Sequence, residues 1–148
     1  MKAHRRLVLK GIFALGVIAA WPRMLLAARP DAVFQETDAD KVIADLFGQA
    51  ATDSDKVMMK IPDIAENGAV VPVTIKTDLA DVESISIVVV NNPTPLAASF
   101  VMSPKSLPSV SVRIKMGESS EVRALVMAGG TLYSTTKEVK VTIGGCGG

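Results

Sequence analysis

The chain has one histidine, His4, and one cysteine, Cys146. With the only imidazole at the extreme N-terminus, no histidine-based triad, haem-attachment motif or His/Cys metal cluster is expected downstream. Acidic residues do not replace them: Asp53 to Asp55 and Asp78 to Glu83 lack the ordered spacing of a calcium loop. Neither a metal nor a cofactor is expected. Aromatics are scarce, at four Phe, one Trp and one Tyr, and none is interleaved with a basic cluster. A nucleic-acid surface is therefore not expected. The apolar runs Gly11 to Ala20 and Met24 to Ala28 are separated by Trp21, Pro22 and Arg23 and are too short to span a bilayer. Asn91-Asn92-Pro93 carries no glycosylation signal and reads as a turn.

Charge divides the chain. The formal net charge is +1, but Lys2, Arg5, Arg6, Lys10 and Arg23 lie in residues 1–28. Without them, 11 basic residues face 15 acidic ones, a net of −4. Arg5 and Arg6, the apolar stretch behind them and an alanine-rich exit resemble a twin-arginine export signal. His4 and Val8 depart from the usual residues of that signal, and no clean Ala-x-Ala precedes Arg29. Cleavage is expected after about Ala28, with a retained membrane anchor as the alternative. The destination would be an oxidising compartment, where a lone cysteine is a reactive thiol or an intermolecular linkage site.

Asp31 to Phe47 reads as one helix. Thr37 followed by Asp40 is a capping signal, Phe34 is placed to staple the start, and Gly48 to end it. Val42, Ile43, Leu46 and Phe47 share a face. Strand-like runs follow at Lys56 to Ile61, Ala69 to Lys76, Glu83 to Val90, Leu96 to Met102, Ser109 to Met116, Glu121 to Ala128 and Lys137 to Ile143. Their period-two alternation and the intervening turns, among them Asn67-Gly68 and Gly129-Gly130, point to an antiparallel sheet protein. About seven short strands suggest an immunoglobulin-like β-sandwich, all-β apart from the N-terminal helix, with a barrel as the alternative. Two strands are apolar on both faces. Val122, Ala124 and Val126 oppose Leu125 and Met127; Ile85, Ile87 and Val89 oppose Val88 and Val90. The second face is expected to lie under the helix or to dock a partner.

The chain ends Gly144-Gly145-Cys146-Gly147-Gly148. Glycine loses the most backbone freedom on ordering, so this segment is expected to act as a flexible arm. Five extended residues reach roughly 16 Å. The segment precedes no helix and has no lysine, so it is not a phosphate loop. Cys146 is third from the end, which excludes a prenylation box. Lys137 and Lys140 are the only nearby cations in sequence that could favour its thiolate.

Val139-Lys140-Val141-Thr142-Ile143-Gly144-Gly145-Cys146-Gly147-Gly148 closely resembles the end of SoxY proteins. Lys60-Ile61-Pro62-Asp63-Ile64-Ala65-Glu66-Asn67-Gly68, Val71-Pro72-Val73, Asn92-Pro93-Thr94-Pro95, Ser111-Val112-Arg113-Ile114 and the export signal are similar too. The resemblance implies a periplasmic sulfur carrier of the thiosulfate-oxidising Sox system, not an enzyme, paired with a SoxZ-like subunit. It implies that Cys146 holds the sulfur as a covalent adduct while Gly144, Gly145, Gly147 and Gly148 give the arm its freedom and clearance. It further implies transient docking to a haem-containing enzyme that joins thiosulfate to the cysteine and to a dimanganese thiosulfohydrolase. A sulfane dehydrogenase is a further partner the family can use.

The expected organisation is an export signal over 1–28, a helix and β-sandwich over 29–143, and the carrier arm over 144–148. Two other readings stand beside the carrier. A non-catalytic periplasmic adaptor would tolerate loss of Cys146. A ubiquitin-like carrier, whose sulfur sits on a terminal Gly-Gly carboxylate, is opposed by the export signal and by Cys146.

Overall fold

The computed structural model describes residues 31–142. The export signal with Arg5 and Arg6, and the tail with Cys146 and its four glycines, lie outside the described residues.

The N-terminal helix is shorter than the sequence suggests. A 3₁₀ turn, Val33–Gln35, precedes α1, Ala39–Phe47. The break has a side-chain cause. Glu36 accepts from the backbone N–H groups of Thr37 and Asp38, at 2.9 and 3.3 Å, holding that stretch extended. The cap is Asp38, not Thr37: its carboxylate accepts from Asp40 N and Lys41 N, at 2.9 and 3.0 Å. A cap of this kind contributes about 1 kcal/mol. Gly48 closes the helix with φ 64°, as expected. Phe34 stands too far ahead of Asp38 to staple this cap; it packs with Val33 in the cluster beneath α1.

Among the described residues nine strands follow: β1 Thr52–Asp53, β2 Val57–Lys60, β3 Ile64–Ala65, β4 Val71–Thr77, β5 Val82–Val89, β6 Leu96–Val101, β7 Ser109–Ile114, β8 Ser120–Ala128 and β9 Thr131–Val141. They form a six-stranded sheet, β1-β9-β8-β5-β6 with β3 also on β9, and a three-stranded sheet, β2-β4-β7. Two corrections stand out. β9 begins at Thr131, not Lys137, because the two-residue Gly129-Gly130 loop carries β8 straight into its partner, Ala128 opposite Thr131. Both glycines have left-handed φ, 55° and 75°, as a tight hairpin of this twist requires. β1 and β3 were not expected, and both pair with β9 in parallel rather than antiparallel. Each is only two residues long, too short for any periodicity to show.

The two sheets share one core. Val57, Val71, Val73, Ile75 and Ile114 from the small sheet meet Ile85, Ile87, Val89, Val122, Ala124, Val126 and Val139 from the large one. The alternating faces of β4, β5 and β8 are those the sequence indicates. The second apolar face of β5 and β8 is also accounted for. Val88, Leu125 and Leu132 are fully buried in a second cluster with Val33, Ala39 and Val42, and Val90 and Met127 pack against it. The N-terminal segment therefore covers this face, so the partner-docking expectation for it is withdrawn.

Candidate functional site

Cys146 lies beyond the described residues, so the site is approached from the strand that leads to it. β9 runs the length of the large sheet, and Thr142 is the last described residue. Around the end of β9 lie β3, the Asn67-Gly68 turn and the 115–119 loop.

The end of β9 is held from both sides. On the β3 side, Lys140 N donates to Asp63 O at 2.9 Å and Thr142 N to Ala65 O at 3.0 Å. On the β8 side the backbone partner is missing, because β8 begins at Ser120, opposite Val139. The hydroxyl of Ser119 fills the gap and accepts from Val141 N at 2.9 Å. Ser119 is fixed in turn: its carbonyl accepts from Asn91 Nδ2 at 3.0 Å. Asn92 clamps the same loop, donating from Nδ2 to Lys115 O at 2.8 Å and accepting at Oδ1 from Gly117 N at 3.0 Å.

The side chain of Val141 packs against the main core at its rim. Its seat requires Gly68. A Cβ there would stand 2.4 Å from Met116 O and 2.8 Å from Val141 Cγ1. Gly68 O also accepts from Met116 N at 2.7 Å. The turn, the 115–119 loop and the end of β9 are thus in direct contact.

Of the two cations considered for the thiol, Lys137 is engaged elsewhere. Its ammonium pairs with Asp63 at 2.9 Å and donates to Ile61 O at 3.3 Å. Lys140 is exposed near the end of β9, just before the tail. Among the described residues no three of His, Cys, Asp and Glu cluster as a metal site needs. A groove of about 780 Å³ lies instead between α1 and the middle of β8 and β9. Arg123 crosses it, bonded to Asp40 at 2.9 Å and near Glu121 at 3.5 Å. The groove lining includes no cysteine, histidine or lysine.

Reading the sequence missed Ser119, Asn91 and Gly68 as supports of the end of β9. The Asn-Asn-Pro turn and the Asn-Gly turn were visible, but their contacts join segments tens of residues apart. Nothing local marks Ser119 as the substitute for a backbone carbonyl.

Comparison with known proteins reaches past the described residues to residue 146. Residues 43–146 match the family model described as sulfur oxidation protein SoxY. The solved structure of the sulfur carrier protein SoxY from Chlorobium limicola f thiosulfatophilum is 43% identical, with a TM-score of 0.64. The match covers 70% of this chain and 96% of that one. A superoxide reductase (neelaredoxin) from Ignicoccus hospitalis is 15% identical, with a TM-score of 0.53, over 59% of this chain and 80% of that one. A single-residue variant of that reductase is 16% identical, with a TM-score of 0.55, over 65% of this chain and 98% of that one. These two likenesses concern the fold alone. No curated protein matches the sequence.

Proposed function

The chain belongs to the SoxY family and is a periplasmic sulfur carrier rather than an enzyme, and on that premise we propose that Cys146 is the covalent attachment point. The observation that carries this reading is the match itself, which extends to residue 146 and so takes in the sole cysteine.

The chemistry balances as follows. The Cys146 thiolate and thiosulfate lose two electrons to a haem-containing partner, forming a sulfur–sulfur bond and a cysteine S-thiosulfonate. Water then attacks the sulfonate sulfur in a dimanganese hydrolase. The S–S bond to that sulfur breaks, sulfate and two protons leave, and the sulfane sulfur stays on Cys146 as a persulfide. A sulfane dehydrogenase can oxidise that sulfur further. The carrier supplies a thiolate and its delivery, and every bond-making step occurs in a partner.

The tail suits delivery. Gly144 and Gly145 allow the arm to turn, and Gly147 and Gly148 leave the far side of the thiol thin enough for a narrow channel. Docking of the carrier body then makes thiol entry effectively intramolecular. Activation of the thiolate is assigned to the partner enzymes, because Lys137, one of the two cations near Cys146 in sequence, is already paired with Asp63.

The two facing sheets are assigned to an immunoglobulin-like sandwich, supported by the core they share. A SoxZ-like subunit is proposed as the stable partner, and the edges of β6 and β7, each paired on one side only among the described residues, leave room for it. Export by the twin-arginine route through Arg5 and Arg6 completes the proposal.

The test is the intact mass of protein taken from the periplasm of thiosulfate-grown cells, before and after reductant. A reductant-labile addition of about 32 or 112 mass units on Cys146 is expected, for one sulfur or a thiosulfate-derived group. An unmodified thiol throughout, with a tight partner still bound, would favour the adaptor reading.

A further inference from the structure

We propose that the outer face of the small sheet is a docking surface for an enzyme that acts on Cys146, and that the enzyme meets it with an acidic surface. The inference rests on the carrier reading above and adds to it where the carrier body is gripped and by what chemistry.

The face follows from the pairing of β2, β4 and β7. Val57, Val71, Val73, Ile75 and Ile114 turn into the core. Alternation therefore turns Lys60, Lys76 and Arg113 outward, and all three are exposed. Lys115, also exposed, continues the alternation just past β7. A bond of 2.9 Å between the hydroxyls of Thr74 and Ser111 marks the centre of the face. Each strand cation stands beside neutral residues: Lys60 opposite Thr74, Lys76 between Met58 and Ser109, Arg113 opposite Pro72. No Asp or Glu occurs on the three strands. The flanking acids Asp55, Asp63, Asp78 and Glu118 lie in connecting segments, and Asp63 is paired with Lys137. Among the described residues none of the four cations makes an ion pair.

The opposite layer carries the acids. Residues 36–45 hold Glu36, Asp38, Asp40 and Asp45 against Lys41, and α1 covers the far face of the large sheet. The protein is thus polarised across its layers, acidic over α1 and basic over the small sheet. Protection of sheet edges accounts for Lys60 on β2 and Arg113 on β7, but not for Lys76 on the central strand. With strands about 4.8 Å apart, the three strand cations lie within roughly 15 Å of one another and act as one patch at low salt.

Positive charge selects an anionic partner. A membrane surface is the other anionic candidate, but the three strands carry no aromatic residue, and interfacial binding draws on apolar anchors. Location favours an enzyme of the carrier cycle. Met116, next to Lys115, donates from N to Gly68 O at 2.7 Å, and Gly68 lies against Val141. The basic face thus adjoins the end of β9, and a protein seated on it stands beside the strand that leads toward Cys146. Exposed charges speed encounter more than they tighten a complex, which suits a carrier that must leave one enzyme for the next.

The experiment follows the initial rate of adduct formation on Cys146 in periplasmic extract of thiosulfate-induced cells lacking this chain, with purified full-length variants added back. Lys60→Gln, Lys76→Gln and Arg113→Gln each remove one charge from the face. Lys41→Gln removes one from α1 and is the control. At about 0.01 M salt, where charges act over about 30 Å, each face variant is expected to slow the rate roughly 1.4- to 5-fold. The triple face variant is expected to slow it at least about tenfold, and Lys41→Gln to match the parent. At about 0.15 M salt the parent should slow and the gap narrow. Reaction of Cys146 with a small neutral aromatic disulfide should be equal in all proteins, since no docking is involved.

Equal adduct rates in the parent and the triple variant at low salt overturn the docking face. So does an equal loss in Lys41→Gln, which would make net charge the cause. A matching loss with the disulfide would place the effect on the thiol and overturn it too. Sedimentation with phosphatidylglycerol vesicles that the triple substitution abolishes, with adduct rates unchanged, would assign the face to a membrane instead. A parent chain that takes no adduct at all defeats the carrier reading and this proposal with it, whereas the other outcomes leave that reading standing.

Discussion

At its start β9 is bound to β8 by a hairpin whose two glycines adopt left-handed φ, and the backbone ladder is continuous from Ala128–Thr131 to Ser120–Val139. At its end the same strand is held by a two-residue parallel partner, one serine hydroxyl and a close contact with Gly68. The first end is stabilised by backbone pairing and by Leu132, fully buried beneath α1. The second depends on side chains and loops, which single substitutions can change without touching the ladder. One strand thus separates two tasks. Stability is concentrated where the chain enters β9, and the proposed chemistry where it leaves.

That separation can be broken in several places. The largest effect is expected from Cys146→Ser, which should abolish the mass addition while leaving stability within about 0.5 kcal/mol. Loss of folding in this variant would contradict the division of tasks. A bulky residue at the same end, Gly145→Val or Gly147→Val, should slow adduct formation at least about tenfold by misplacing the thiol, again with the melting temperature preserved. Equal adduct rates would argue against the narrow-channel account. Leu132→Ala, at the opposite end, should reverse the pattern. Urea unfolding should show a loss of about 2–5 kcal/mol, with the folded fraction still able to take up sulfur.

Gly68→Ala tests the region where the two tasks meet. The added methyl meets backbone at Met116 and the side chain of Val141. A destabilisation of about 1–3 kcal/mol is expected, together with faster amide exchange at Val141 and Thr142. The smallest effect lies away from β9 altogether. The backbone N–H groups of Thr37 and Asp38 hold the Glu36 carboxyl below its ordinary range, with Lys41 assisting. A depressed folded-state value means that this contribution is complete above the ordinary glutamate value near 4.5 and is lost as pH falls through the lower, folded-state value. Glu36→Gln should flatten the acid limb of the stability–pH curve and leave amide exchange at both ends of β9 unchanged.

The faces of β4, β5 and β8 were legible in sequence because one residue step reverses the direction of a side chain. Apolar alternation therefore reports burial directly. The double-sided pattern in β5 and β8 was visible too, but its cover was not, since either a partner or the helix would satisfy the same residues. Local competition also misled. Thr37 and Asp38 are both able to cap a helix, and the choice fell to Asp38 once Glu36 had taken the N–H groups of Thr37 and Asp38. The first half of β9 was hidden for a different reason. Ser134 to Glu138 is polar throughout and carries no apolar rhythm, even though the Gly-Gly pair just before β9 reads plainly as a turn.

By itself the sequence determined the chemistry this protein can offer: one thiol, set among glycines, with no histidine near it. Those are properties of composition and order along the chain, and no fold is needed to read them. It likewise determined which strand faces turn inward, because that depends only on alternation. Tertiary structure alone decided what holds the end of β9. Ser119, Asn91 and Gly68 come from three separate loops, and their roles arise from a missing carbonyl, a carbonyl in need of a donor and a gap too small for a methyl group. Such features exist only once distant segments have been brought together, since hydrogen-bond partners and close contacts are set by distance in space.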